Sequence, residues 1–447
     1  MRLPRATAPL GPSMHGAAQP MPAAAWSMPP TLVGRPATEL WWMNPLPCVA
    51  IVGLVYASFM TFDFARVVPH AYIPGWHYAW GGALLVALAL GIAAVMALQR
   101  DAPLQPTLPF DVPKWLMGGM FACTVLAYVL WFQVLLTDPG LMAEIAAGER
   151  SNVRDVATTM PGITTMTQFG VAYVIAYAAM RGSRARPIAR WEQAALVAVF
   201  VLGAIRAVAW SERLAVIELV VCYVVARLAY TRVMRERTWS LASVIPLVAP
   251  LLLYVLFTVT EYFRSWHFFE NEYDSVWEFA LERLMTYYAT ASNNGIGLLV
   301  EDRSWPEYTL RYVAEWLYTM PVVGEALTDA VGDLQKPYFY FLSRFARPEF
   351  NNPSGLFPIV YDIGYAGSMV YFVAIGALVG ALWHAWRRQA RPGVLFYPIA
   401  MMFLLELLRF NYFASSRFLA AAVPLVLIWV VARPATPSIP RPAPTPW

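Results

Sequence analysis

Residues 351–367 read Asn-Asn-Pro-Ser-Gly-Leu-Phe-Pro-Ile-Val-Tyr-Asp-Ile-Gly-Tyr-Ala-Gly, and they join two very different parts of the chain. Before them, residues 261–356 are too rich in charged side chains to lie in lipid, and carboxylates outnumber cations. After them, residues 357–383 form an apolar run long enough to cross a bilayer. The junction predicts that a large polar loop ends here and that the chain re-enters a membrane.

The composition is that of a membrane protein. Of the 447 residues, 59% are hydrophobic and 13% are charged, whereas a soluble domain has about 25% charged residues. A transmembrane helix takes roughly 20 residues, so the chain has room for about ten spans and one large loop. The predicted fold class is an all-α polytopic integral membrane protein.

Ten apolar segments approach the length of a span. Their length favours helices over strands, because each segment is far longer than an ordinary strand. The segments cover residues 45–63, 78–98, 114–136, 162–180, 191–209, 212–230, 240–260, 357–383, 394–410 and 414–431.

Arginines indicate on which side of the membrane the short loops lie. They follow the fourth, sixth and eighth segments, and the positive-inside rule makes these loops cytoplasmic. The large loop then faces outward, which agrees with its acidity, and both termini are predicted to be cytoplasmic. The formal net charge of +4 is therefore a topology signal and not a nucleic-acid surface. The arginines are Arg181, Arg184, Arg186, Arg190, Arg232, Arg235, Arg237, Arg387, Arg388 and Arg391.

The chain is predicted to divide into two tails, two groups of spans and one loop. The tails are rich in proline and are predicted to be disordered. The parts are an N-terminal tail (1–40), spans one to seven (41–260), the large outward loop (261–356), spans eight to ten (357–431) and a C-terminal tail (432–447).

Two segments of the large loop have helical patterns. Between residues 275 and 291, large apolar and aromatic residues recur at intervals of four, three and four, so they share one helix face. Pro306 suits the first turn of a second helix, which is predicted to end near residue 319.

Cysteine and histidine spacing predicts neither a metal site nor a cofactor. Cys48, Cys123 and Cys222 lie in apolar runs and are interpreted as small buried hydrophobic residues. The five histidines form neither an HxxxH nor an HExxH pattern.

Arginines at the predicted outer ends of different spans are the clearest functional signal. A charge at mid-bilayer costs roughly 2.5–3.5 kcal/mol, so charges beside spans tend to be paired or functional. Pairing is the structural alternative, as for Glu406 and Arg409, three residues apart on one helix face. Because a guanidinium group matches two phosphate oxygens at once, convergence predicts a site for a lipid-linked phosphate or diphosphate. The arginines are Arg206, Arg213, Arg264, Arg409 and Arg417.

Glycosyl transfer from such a lipid needs a base for the acceptor hydroxyl and cations for the leaving phosphate. His267 and Asp362 are candidate bases, and the choice stays open among them and the carboxylates of the loop. A Ser hydrolase elbow, a P-loop and a Gly-rich dinucleotide turn are missing from the sequence. The loop carboxylates are Glu270, Glu272, Asp274, Glu278 and Glu282.

The Asp-x-Gly-x-x-Gly pattern within residues 351–367 resembles the re-entry signature of bacterial oligosaccharide repeat-unit polymerases, the Wzy-type O-antigen polymerases. Residues 211–218 resemble the arginine-containing start of the sixth span in that family, and residues 283–294 resemble its Tyr-rich loop segment. Arg344 also fits an Arg-x10-Gly pattern found in outward loops of some members. The resemblance covers about residues 41–431.

The resemblance implies polymerisation of glycan units on undecaprenyl pyrophosphate at the periplasmic face of the bacterial inner membrane. A metal-independent reaction is preferred, because no carboxylate cluster at metal spacing stands out in the sequence. Its partners would be a lipid-linked oligosaccharide donor and acceptor and membrane lipid, and no nucleic acid; binding of a chain-length regulator is left open. Arg213, Arg264 and Arg283 would hold the pyrophosphate, and Asp362 would orient an arginine or shape the cavity. The candidates are Asp362, His267 and Arg213 for catalysis, and Arg206, Arg264, Arg283, Asn294, Arg344, Arg409 and Arg417 for substrate binding.

Three other classes share parts of this pattern. An O-antigen ligase has a similar body and large loop but transfers finished glycan to a core sugar. A polyprenyl-phosphate-sugar glycosyltransferase usually has an acidic pair in its first outward loop, where this chain has only Asp63. A transporter or flippase predicts matched breaks in paired spans, whereas the Pro246–Pro250 pair of the seventh segment has no matching pair in another segment.

Overall fold

The computed structural model describes residues 34–36, 40–64, 67–73, 75–99, 110–147, 153, 156–157, 159–160, 162–210, 212–234, 241–332 and 336–434. Most of both predicted tails lies outside these residues, as do Ser211, Arg235 and Arg237.

The described chain is almost entirely helical. Short 3-10 helices occupy Trp41–Met43, Phe59–Thr61 and Thr164–Gln168, and a π-helical turn covers Tyr262–Trp266. The α-helices are α1 (Pro45–Ser58), α2 (Trp76–Leu98), α3 (Lys114–Trp131), α4 (Gln133–Thr137), α5 (Gly140–Ala147), α6 (Phe169–Ser183), α7 (Arg190–Ala209), α8 (Leu214–Leu228), α9 (Leu241–Glu261), α10 (His267–Phe269), α11 (Val276–Glu301), α12 (Glu315–Tyr318), α13 (Val323–Val331), α14 (Lys336–Phe345), α15 (Phe357–Arg387), α16 (Arg391–Glu406) and α17 (Ser416–Val431).

Two very short antiparallel strand pairs connect distant parts of the chain. Strand β1 (Gly34–Pro36) pairs with β3 (Arg232–Met234), after α8. Strand β2 (Phe110–Asp111), before α3, pairs with β4 (Arg433–Pro434), after α17. These pairs leave the all-α fold class unchanged.

Every predicted apolar segment contains a helix, namely α1–α3, α6–α9 and α15–α17. Five helices of the described chain are long and apolar enough to cross a membrane, and two shorter apolar helices accompany them. The five are Trp76–Leu98, Lys114–Trp131, Arg190–Ala209, Val244–Phe269 and Phe357–Arg387. This set is compatible with a multi-pass membrane protein.

Helices α2 and α15 pack with their backbones in direct contact. A Cβ atom added to Gly91 of α2 would lie 2.1 Å from the carbonyl oxygen of Val373, and one added to Gly376 of α15 would lie 2.1 Å from that of Leu88. Glycine at these two positions permits the close approach, as small residues do between membrane helices.

The junction predicted at residues 351–367 contains a break within α15. Gly364 has a φ of +71°, and a helical backbone continues on both sides of it. Glycine adopts this conformation without the steric cost that a side chain brings. The first turns of α15, which carry Asp362, are therefore set off from the long apolar part of the helix.

The large loop is more helical than predicted in one place and less in another. Helix α11 begins after Ser275, whose hydroxyl accepts from the Glu278 N–H, and it runs to Glu301, ten residues beyond the predicted end. The helix predicted over residues 306–319 is wrong, because only the single turn Glu315–Tyr318 forms. The carboxylate of Asp362 instead accepts four backbone N–H groups between residues 309 and 313, which holds this segment in an irregular path.

Candidate functional site

The carboxylate of Glu261, at the end of α9, is the centre of an ion-pair network. It is 1% exposed and pairs with Arg213, which immediately precedes α8. Arg283 of α11 lies 3.0 Å away through Nε, and the Ser265 hydroxyl donates to the same oxygen at 2.5 Å. Arg264 Nη1 lies 3.6 Å from the other oxygen. Three guanidinium groups from three elements therefore converge on one buried carboxylate.

Local packing holds Arg213 in this network. Its Nε donates to the Thr260 hydroxyl at 2.5 Å, and its guanidinium carbon lies 3.8 Å from the ring centroid of Phe257. Both partners lie on the last turns of α9, immediately before the π-helical turn that carries Arg264. Single π turns are frequent at functional sites.

Arg283 links the network to the segment before α15. It forms an ion pair with Glu349, and Arg264 Nη2 lies 4.0 Å from the same carboxylate oxygen. Its guanidinium carbon also lies 5.2–5.5 Å from the centroids of three rings, at cation–π distance. The rings belong to Phe269, Phe279 and Phe350.

A second network joins the ends of α7, α8 and α17. Arg206 Nη2 lies 2.7 Å from the carboxylate of Glu212, and the same carboxylate pairs with Arg417. Arg417 Nη1 in turn lies 2.8 Å from Glu218. Trp131 covers Arg206, with its ring centroid 4.7 Å from the guanidinium carbon. The two arginines and two carboxylates neutralise one another.

Arg409 and Tyr287 contact each other beside the Glu261 network. Arg409 Nη1 lies 2.8 Å from Glu406, which agrees with the pairing considered from the sequence. Its guanidinium carbon lies 5.0 Å from the ring centroid of Tyr287. Burial raises the pKa of the Tyr287 phenol, but the charge of Arg409, the Asn352 side chain and the charges of Arg213 and Arg264 together hold that pKa below the ordinary value.

The neighbouring phenol behaves in the opposite way. Burial, helped by the negative charge of Glu406, raises the pKa of Tyr288 above the ordinary phenol value even though Arg409 lowers it. Two adjacent tyrosines of α11 thus differ in their tendency to ionise.

Arg264 is the arginine of the Glu261 network with the loosest contacts. Its ion pairs of 3.6 and 4.0 Å exceed hydrogen-bond length, and its side chain is 25% exposed. A guanidinium group has five N–H donors. Arg264 can therefore offer donors to a ligand without breaking a short ion pair.

Three predicted site residues make other contacts. His267 is exposed, and its ring centroid lies 3.7 Å from that of Phe268. Arg344 is exposed and donates from Nη1 to the Tyr340 hydroxyl on the same helix at 2.6 Å. Asn294 is buried, and its amide donates to the carbonyl of Phe350 at 2.6 Å. Asn294 therefore fixes the segment before α15, whereas the contacts of His267 and Arg344 are local.

The environment of Asp362 does not support the predicted catalytic role. The residue is fully buried, and both carboxylate oxygens are occupied by backbone N–H groups at 2.8–3.2 Å. Its backbone carbonyl also accepts from the Tyr308 N–H at 2.7 Å. Asp362 is the anchor of the loop segment over residues 308–313, and it does not orient an arginine through these bonds.

Comparison with protein-family models, with curated proteins and with solved structures found no match to this chain. The site must therefore be interpreted from its own chemistry. Among the described residues, no group of three or more His, Cys, Asp and Glu side chains is placed to hold a metal ion. The cluster instead offers guanidinium groups, which bind phosphate oxygens.

Sequence reasoning missed three residues of this cluster. The sequence identifies Glu261 only as the start of the large loop, although a carboxylate on the last turn of an apolar helix is a sign of a buried partner. Glu349 carries no local signal, since it lies in an irregular segment. Tyr287 was part of the quoted Tyr-rich segment, but its position beside Arg409 depends on how α11 packs against the end of α16.

Proposed function

We propose that the protein polymerises lipid-linked oligosaccharide repeat units by glycosyl transfer. The observation that supports this function best is the convergence of Arg213, Arg264, Arg283 and Arg409 around Tyr287 and Glu261. These arginines come from four elements, so the cluster is a tertiary feature and not a run of sequence.

The diphosphate of the donor lipid binds at this cluster, with Arg264 making the first contact. Charge-assisted, bidentate bonds from arginine to phosphate are strong and directional. The same cations stabilise the negative charge that develops on the diphosphate as the bond to the sugar breaks. Arg206 and Arg417, which neutralise Glu212 and Glu218, support the neighbouring helix ends.

The same proposal includes how the chain is arranged in the membrane. The chain crosses the bacterial inner membrane ten times, and residues 261–356 face the periplasm. The arginine-rich short loops support this orientation. In this arrangement the cluster lies at the outer surface, where a polyprenyl tail stays in lipid and its diphosphate reaches the arginines.

The decisive experiment compares surface and lipid-linked glycans from a strain lacking this gene with those from the complemented strain, on a gel. Collapse of a ladder to a single repeat unit supports polymerisation. Full-length glycan retained on the carrier lipid supports a ligase instead. An unchanged ladder contradicts both activities and favours a transporter or flippase.

A further inference from the structure

Tyr287 occupies the junction between the Glu261 network and Arg409. It lies on α11 one turn after Arg283, and its side chain is half-buried. The guanidinium of Arg409 packs on its ring, and the ring of Phe350 meets it at 6.3 Å with an interplanar angle of 73°. Two sides of the phenol ring are thereby held in place.

The other acid–base groups of the cluster are already committed. Glu261 is surrounded by three arginines and a serine hydroxyl. Glu349 pairs with Arg283, and Glu406 pairs with Arg409. A proton transferred to any of these carboxylates would cost one of the ion pairs just described, in which the Tyr287 phenol takes no part.

We propose that Tyr287 is the general base for the acceptor hydroxyl of the transferred glycan. This inference rests on the proposed function. Its phenolate oxygen takes the hydroxyl proton while the acceptor oxygen bonds to the anomeric carbon of the donor. The bond between that carbon and the diphosphate oxygen breaks, and the lipid diphosphate leaves with the electron pair. Tyr287 then returns the proton to water.

The charges around Tyr287 favour its ionised form. Burial opposes ionisation, but Arg409, the Asn352 side chain, Arg213 and Arg264 act together to lower the pKa of the phenol. The charged and titratable groups that surround it are Arg409 and Glu406 at the end of α16, Arg213 before α8, Glu261 and Arg264 at the end of α9 and in the π turn, Glu349 before α15, and Arg283 and Tyr288 on α11.

The test measures polymerisation of a defined lipid-linked repeat unit by the purified full-length protein in proteoliposomes across a range of pH. Removing a general base costs roughly 10²–10⁴-fold in rate. Tyr287→Phe should therefore lower kcat by that factor and leave KM for the donor nearly unchanged. Tyr308→Phe, which removes the hydroxyl of a 71% exposed side chain, is the control and should keep both the rate and the pH profile.

A second variant tests the base directly. The rate of the natural protein should rise with pH through the pKa of Tyr287, because only the phenolate accepts a proton. Replacing Tyr287 with 3,5-difluorotyrosine, a more acidic phenol of nearly the same size, should move this limb to lower pH, and this result would stand even if Tyr287→Phe failed to fold.

Two results would overturn the proposals separately. If the natural protein folds but does not extend the lipid-linked unit, the proposed function fails. If it does extend the unit, but the difluorotyrosine variant has an unshifted pH profile, polymerisation stands and Tyr287 is not the base.

Discussion

Glu261 keeps three guanidinium groups close together inside the protein. Arg213, Arg264 and Arg283 would repel one another without this carboxylate, and a buried charge left without its partner costs about 3–5 kcal/mol. Glu261→Gln should therefore lower the free energy of unfolding by about that amount, measured as a large fall in Tm in detergent.

Glu349→Gln is the control for this prediction. Glu349 also pairs with Arg283, but its side chain is 39% exposed, and exposed ion pairs contribute about 0–1 kcal/mol. Equal losses of stability in the two variants would contradict the central role given to Glu261.

Arg264 is expected to matter for binding more than for stability. Its ion pairs are long, so Arg264→Ala should leave Tm nearly unchanged. Loss of a charge-assisted bond to phosphate costs about 1.5–3 kcal/mol, which raises the Kd for a lipid diphosphate roughly 10- to 100-fold. Arg344→Ala, at an exposed site on α14, should change neither quantity. Binding of the diphosphate with unchanged affinity by Arg264→Ala would remove this residue from the site.

At the scale of elements, the loop over residues 308–313 depends on one carboxylate. Asparagine at position 362 would keep a single acceptor oxygen and turn an amide donor toward N–H groups, leaving two of the four N–H donors unsatisfied. Asp362→Asn should therefore expose these residues to hydrogen exchange and to proteolysis. Asp329→Asn, at an exposed position of α13, is the control. Unchanged protection in Asp362→Asn would show that the segment holds its shape without the carboxylate.

The contact between α2 and α15 makes a second prediction at this scale. Gly91→Ala places a methyl group 2.1 Å from a backbone oxygen, whereas the same change at Gly82 of α2 meets nothing within 4 Å. Overpacking typically costs 1–3 kcal/mol. Gly91→Ala should lower Tm clearly and Gly82→Ala should not, and equal Tm values would indicate that the two helices can move apart.

The sequence predicted the helices better than the segments between them. The length of the apolar runs alone locates α1–α3, α6–α9 and α15–α17, because a long apolar run is a strong signal of a helix. The segment over residues 306–319 contains a good helix start, but its amide groups bond to Asp362, more than forty residues away. Local helix propensity does not predict this competition between helical hydrogen bonds and bonds to a distant carboxylate.

The cations of the candidate site were predictable from the sequence, and so was the pairing of Glu406 with Arg409, but Glu261 and Glu349 were not. Arg206, Arg213, Arg264, Arg409 and Arg417 were expected near one another because they lie at the ends of different predicted spans, and the structure brings them into adjoining networks. The partners that decide which arginine stays available, Glu261 and Glu349, become visible only when α9, α11 and the segment before α15 pack together.

For the whole molecule, the dependence of residues 308–313 on Asp362 sets an order of events during synthesis. These residues leave the ribosome about fifty positions ahead of their acceptor, so their amide groups must wait until the start of α15 has been made. A nascent chain that ends before Asp362 contains all of residues 308–313 but lacks the carboxylate that accepts their N–H groups. The closure of residues 308–313 is therefore determined by a residue that is made about fifty positions later.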